Sequence, residues 1–253
     1  LAPSPERHSP PVSMSESVHT PAQSEKTGHS APRIDERGFV WLDSALMGHP
    51  RSMQSLIAHE PTGELILRNN RLSFSGAVER FAYHSDSLYA VLDAIYRSER
   101  LVAVGFISYE AMLDALGVLP AHHPVIPSAH FFLYEGFWSN LSLPSAVAEE
   151  SGFNSSTLIH QTSRNDYSAK IHQIKEHIRE GDIYQANFTT RFDVASPMHP
   201  ADVYHQLRHT SPAPHCAYLN FGKYQILSSS PERMFRLEGN RIVTNPIKGT
   251  IRR

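Results

Sequence analysis

Along the first 37 residues apolar side chains are almost absent, and from Phe39 onward they recur in short runs. Pro3, Pro5, Pro10, Pro11, Pro21 and Pro32 interrupt any helix or strand ladder in the opening stretch. Such a segment buries too little apolar surface to offset its ordering entropy, so residues 1–37 are expected to be disordered, as a tail or a linker from an upstream domain. Glu6, Glu16, Glu25, Asp35 and Glu36 make it too acidic for a transit peptide.

Beyond that point the pattern predicts elements. Residues 39–42 read as a short buried strand. Two apolar runs, 64–68 and 71–74, flank Asn69-Asn70, the signal of a hairpin. Leu88, Val91, Leu92 and Ile95 fall at helical spacing over residues 88–96, with Asp86 or Ser87 as cap. Residues 101–109 and 131–138 read as strands, and 139–160 as an irregular connection. The clearest helix covers 164–180: Ser163 caps it, Asp166 completes a capping box, Tyr167, Ile171, Ile174 and Ile178 form one apolar stripe, and Gly181 supplies a left-handed exit. A strand over 183–192, a helix over 202–209 and strands over 216–219, 225–229, 234–237 and 241–244 complete the pattern. Strands outnumber helices without regular βαβ alternation, which predicts an α+β fold. The division expected is a tail over 1–37, a first region over 38–150 and a second over 151–253.

Composition narrows the function classes. At 253 residues, 40% hydrophobic and 19% charged, the chain has the balance of a soluble globular protein, and a cytoplasmic location is expected. A net charge of −2 gives no reason to expect nucleic acid or an anionic membrane as partner. No apolar run approaches the roughly 18 residues of a spanning helix. The single cysteine, Cys216, excludes an internal disulfide framework and a multi-cysteine metal site. The start on Leu1 and the end on Arg252-Arg253, after a strand and turn, read as a piece of a longer protein.

Three segments carry candidate chemistry. In Asn245-Pro-Ile-Lys-Gly-Thr250 a lysine follows a strand, Gly249 lets backbone approach a ligand, and Thr250 offers a hydroxyl and an amide. A partly desolvated Lys248 could serve as nucleophile or base; the plain alternative is a surface lysine in a turn. Glu232, in Ser230-Pro-Glu-Arg233 after an apolar run, is a candidate general acid or base. The same tetrapeptide recurs as Ser4-Pro-Glu-Arg7 in the opening stretch, so the four residues alone say little. Gly181-Asp-Ile-Tyr-Gln-Ala-Asn187 brings amide side chains to a helix exit, where they could face a ligand or pair with backbone. Among sixteen histidines, His205 and His209 stand at i, i+4, but no Glu follows His205 as a zinc-protease helix requires. Phosphate-binding glycine loops and the Gly-x-Ser-x-Gly elbow are absent.

Taken in order, Gly181-Asp-Ile-Tyr-Gln185, Ser211-Pro-Ala-Pro214, Ser229-Ser-Pro-Glu-Arg233 and Pro246-Ile-Lys-Gly-Thr250 resemble the chorismate-binding family. That family includes anthranilate synthase component I, the aminodeoxychorismate synthases and the isochorismate synthases. A weaker similarity covers Leu42-Asp-Ser-Ala45, where the family has a serine lining a tryptophan pocket, and Gly105-Phe-Ile-Ser-Tyr-Glu110. The resemblance implies the N-terminal portion of the anthranilate synthase component I-like two-layer fold, with packed antiparallel sheets and flanking helices, incomplete. It also implies a possible tryptophan pocket at Ser44 and Pro212, and substrate contacts at Gly249 and Thr250.

Position 248 divides the family: lysine stands in the aminodeoxychorismate synthases, alanine typically in the others. On that ground the resemblance implies the aminodeoxychorismate branch of para-aminobenzoate and folate synthesis. Lys248 would attack ring carbon 2 of chorismate as the 4-hydroxyl leaves, and ammonia would then add at carbon 4 and expel the lysine. Glu232 matches the family's acid/base glutamate. A glutamine amidotransferase, separate or fused, would supply the ammonia, and Mg²⁺ would be held by glutamates beyond Arg253, so residues 1–253 alone are expected to be inactive. Asn245 and Arg252 depart from the Arg and Pro usual in the family. The alternatives are anthranilate synthase component I and a non-catalytic tryptophan- or ligand-binding fragment.

Overall fold

The computed structural model of the chain describes residues 32–46, 48, 55–82, 87–98, 100–118, 125–139 and 157–247. The expectation for residues 1–31 and the 248–250 part of the lysine motif lie outside them. The fold is α+β, built from antiparallel strand pairs and flanking helices. The chain divides into two compact units: the first comprises Leu1–Trp41, Leu56–Asn140 and Leu219–Gly222, the second Leu42–Ser55, Leu141–Tyr218 and Lys223–Arg253. Strands β1 (Val40–Asp43) and β10 (His215–Asn220) each begin in one unit and end in the other.

In the first unit β2 is Leu56–Ala58, β3 Gly63–Arg68, β4 Arg71–Gly76, β5 Val102–Ile107, β6 Ala129–Tyr134 and β7 Trp138–Ser139. Its helices are α1 (Glu79–Ala82), α2 (Leu88–Arg97) and α3 (Tyr109–Ala115). A four-stranded sheet runs in the order β4-β3-β6-β5. The β3–β4 hairpin turns through Asn69 and Asn70 at φ 50° and 58°, as a tight two-residue turn of matching twist requires. Leu65, Ala129 and Leu133 of the sheet, with Val78 and Leu101, bury the face of α2 formed by Leu88, Val91 and Ile95. Ser87 stands at the N-cap of α2, but its side chain makes no capping bond. Gly105 has a packing reason: a Cβ there would lie 1.9 Å from the His130 carbonyl oxygen on the paired strand.

Residues 32–39 are fastened to this unit from several sides. Gly38 N donates to Asn220 O, Asn220 N to Phe39 O and Asn220 Nδ2 to Ile34 O. Tyr134 donates its hydroxyl to Gly38 O at 2.8 Å. Phe221 stacks on Phe132 with centroids 5.2 Å apart, and the Arg37 guanidinium lies over the Phe132 ring, 5.0 Å from its centroid, while ion-pairing with Glu64. Glu64 also meets His130 Nε2 at 2.6 Å.

The second unit holds β8 (Thr157–Gln161), α4 (Arg164–Glu180), β9 (Phe192–Ala195), α5 (Pro200–Thr210), most of β10, β11 (Gln225–Ser230), β12 (Arg233–Glu238) and β13 (Arg241–Asn245). Helix α4 has the boundaries and caps its sequence predicts: Ser163 Oγ accepts from Asp166 N at 3.1 Å, and Gly181 sits at φ +85°. Its apolar stripe is not buried; Tyr167 and Ile178 are each 42% exposed. Three expectations differ from the structure. The strand expected over 183–192 is irregular up to 191 and pairs only from Phe192, because a strand persists only where its backbone finds a ladder. The connection over 139–160 contains the start of β8, the partner of β9. The strand expected over 131–138 ends at Tyr134, and Glu135-Gly136-Phe137 separates it from β7.

Candidate active site

The end of β11 delivers Glu232. Pro231 fixes its own φ and lacks an amide donor, so the chain leaves the strand there. Ser230 Oγ donates to the Glu232 carbonyl at 2.9 Å, closing the turn, and β12 begins at the next residue, Arg233. Glu232 is half-buried. In the β12–β13 hairpin Arg233 pairs with Asn245, Arg236 with Val243 and Glu238 with Arg241. Between Arg233 and Arg236 the strand carries one residue more than its partner, a bulge of the kind that re-aims side chains.

That register settles one question of proximity. Glu232 precedes Arg233 and Pro246 follows Asn245, so both stand at the same end of the hairpin. Lys248, Gly249 and Thr250 are outside the described residues, but Lys248 is three residues past Asn245, a reach of at most about 11 Å of chain. Burial and then the neighbouring Arg236 push the Arg233 guanidinium pKa down, and Arg236 itself pairs with Glu238 at 2.6 Å.

A second constellation forms around Ser44. Its hydroxyl donates to Pro214 O at 3.2 Å, and Leu46 N donates to Ala213 O at 3.3 Å. Pro214 is therefore the proline at this serine; Pro212 is exposed. Beside it Asp43, 3% exposed, accepts from Arg208 Nε at 2.7 Å, Ser55 Oγ at 2.9 Å and Tyr204 OH at 3.3 Å. Tyr204 and Arg208 stand one turn apart on α5, so one helix face meets one carboxylate. Burial, followed by the charge of Asp43, raises the Tyr204 hydroxyl pKa and keeps it a neutral donor. Sequence reasoning found Ser44 and missed Asp43, Ser55, Tyr204 and Arg208. The i, i+4 polar pair on α5 was a legible signal, but nothing local says that its partner is about 160 residues away.

The amide segment after α4 is open: residues 184–187 are exposed. His205 is half-buried with its pKa lowered by burial and then Arg208, and joins no metal-ligating group with His209 among the described residues. The one group of three ligating side chains among the described residues is His177, Glu180 and Asp182, all exposed. That group includes an imidazole, whereas Mg²⁺ takes oxygen ligands, so it is not assigned to the metal.

Comparison with known proteins bears on this geometry. A family model described as chorismate binding enzyme matches residues 38–253. The chain is similar to anthranilate synthase component 1 of Archaeoglobus fulgidus, 30% identical over 163 residues, covering 59% of this chain and 39% of that protein. It is also similar to the chloroplastic anthranilate synthase alpha subunit 1 of Oryza sativa subsp. japonica, 43% identical over 91 residues, covering 36% and 16% respectively. Among solved structures, anthranilate synthase component I from Streptococcus pneumoniae TIGR4 superposes with a TM-score of 0.53 at 19% identity, over 89% of this chain and 56% of that one. The chain thus spans well under half the length of these curated relatives. No helix among the described residues is long and apolar enough to cross a membrane.

Proposed function

Because the chain belongs to the chorismate binding enzyme family, we propose that the intact protein is a component I that adds ammonia to chorismate. The observation that supports this reading is the β12–β13 register, which brings Glu232 and Pro246, two residues before Lys248 in the sequence, to one end of a hairpin. An acid at that point can protonate a departing hydroxyl. Glutamine, through an amidotransferase partner, is the source of ammonia in this proposal. Mg²⁺ belongs to it as a charge-neutralising ion, with no described residue assigned to hold it.

Two products follow from two observations. The relatives above carry the name anthranilate synthase, and this similarity supports amination at carbon 2 with loss of pyruvate better than it supports the aminodeoxychorismate branch. Lys248 favours the second reading, in which its neutral amine attacks carbon 2, water leaves from carbon 4 with a proton from Glu232, and ammonia at carbon 4 expels the lysine. Supplying the intact protein with chorismate, Mg²⁺ and ammonium, and identifying the product by mass, separates them. Anthranilate formed equally well by Lys248→Ala establishes the first. Formation of 4-amino-4-deoxychorismate, reduced about a hundredfold or more in Lys248→Ala, establishes the second. Absence of any amination product from the intact protein refutes both.

A further inference from the structure

Two adjacent serines end β11, and they do different work. Ser229 Oγ donates to the Ser211 carbonyl and receives Cys216 Sγ at 3.8 Å, which ties the strand to the 211–214 loop. Cys216 in turn reaches Ala213 O at 3.4 Å. Ser230 makes no such long-range tie; its hydroxyl turns forward to the carbonyl of Glu232, two residues on. Between them Pro231 removes one backbone rotation. Below, the bulge after Arg233 adds a residue to β12 at the same place. The backbone of Glu232 is thus bounded by an anchored strand above and an irregular strand below, with one side-chain hydrogen bond joining the two.

We infer that Ser230 is the positioning residue for Glu232, its hydroxyl closing the Ser230-Pro231-Glu232 turn that sets where the carboxyl stands at the Arg233–Asn245 end of the hairpin. This rests on the reading of Glu232 as the acid/base group of chorismate amination. The hydroxyl touches no substrate; it acts by restricting the turn, so its loss lowers the fraction of enzyme with the carboxyl in place. Turnover falls, while substrate binding, which other groups provide, is preserved.

The test uses the intact protein with chorismate and ammonium, comparing Ser230→Ala, Ser230→Thr, Ser229→Ala and Glu232→Gln. One hydrogen bond at a turn predicts a fall in kcat of about fivefold to tenfold for Ser230→Ala, with KM for chorismate within about twofold. Ser230→Thr keeps the hydroxyl on a residue suited to a strand end and is expected to recover most of the loss. Ser229→Ala is expected to lower thermal stability more than Ser230→Ala does. A Ser230→Ala enzyme with kcat within twofold of wild type overturns the inference. Equal losses in the Ala and Thr variants overturn it too, since the hydroxyl then has no part. A Glu232→Gln enzyme with undiminished turnover overturns the reading of Glu232 itself, whereas a dead Glu232→Gln beside a fully active Ser230→Ala removes only the role given to Ser230.

Discussion

Helices α2 and α4 announce themselves by the same signal, apolar residues at three- and four-residue spacing, and meet different fates. Helix α2 lays Leu88, Val91 and Ile95 against a sheet and buries all three. Helix α4 is longer and better capped, yet none of its residues is buried. Capping and propensity set where a helix starts and stops; packing supplies most of its stability. The stripe on α4 is left partly exposed, while the stripe on α2 is covered. The second unit is not loose throughout, since Asp43, Tyr204, Tyr218 and Cys216 are as buried as the core of the first.

The sharpest break in this comparison comes from truncating one isoleucine in each helix. Ile95→Ala should cost about 3 kcal/mol or more of stability in the first unit, read by urea unfolding through the fluorescence of buried Trp41. Ile174→Ala should cost less than about 1 kcal/mol, since its side chain is only half-buried. Equal costs would mean that α4 is packed as well as α2. Next in size, Arg208→Ala leaves the Asp43 carboxylate buried without its ion partner and should cost about 3 kcal/mol, seen as faster amide exchange in α5 and β10. A loss below about 0.5 kcal/mol would show that the tight part of the second unit does not depend on the pair.

The smallest effect is a pH dependence confined to the first unit. Burial lowers the His130 pKa, opposed by the hydrogen bond and charge of Glu64, with Arg37 and Arg68 adding to the lowering. The unfolded chain then takes up the proton first, near pH 6.5, so stability is fully present above that pH and is lost as pH falls through and below it. The urea midpoint should fall between pH 7.5 and 5.5, and the fall should vanish in His130→Gln. A urea midpoint that rises on acidification would reverse the sign and refute the assignment to His130.

Local signals were legible where a residue's partner is close in sequence. Asn69-Asn70, Ser163 with Asp166, and Gly181 each act over a few residues, and the structure has each as read. Strand 183–192 failed because β-rich composition does not supply a ladder, and α1, α3 and β2 were missed because they are short. The candidate site was read from an ordered series of motifs, and the shared hairpin end of Glu232 and Pro246 follows from the register between Arg233 and Asn245. The bonds around Asp43 were not legible, because Tyr204 and Arg208 are brought to it only by the fold. The choice of product was read from one lysine, whereas the relatives named above carry the name anthranilate synthase.

The short segment Leu219–Gly222 has a consequence for synthesis. It belongs to the first unit, where Asn220 holds Gly38 and Phe39 and Phe221 covers Phe132, yet it is translated some eighty residues after Asn140, the last preceding residue of that unit. At ribosomal speeds of roughly 5–20 residues per second, the nascent first unit waits on the order of 4–16 s for its final piece. Through that interval the Phe132 ring and the Glu64–His130 pair lack the cover Phe221 gives them.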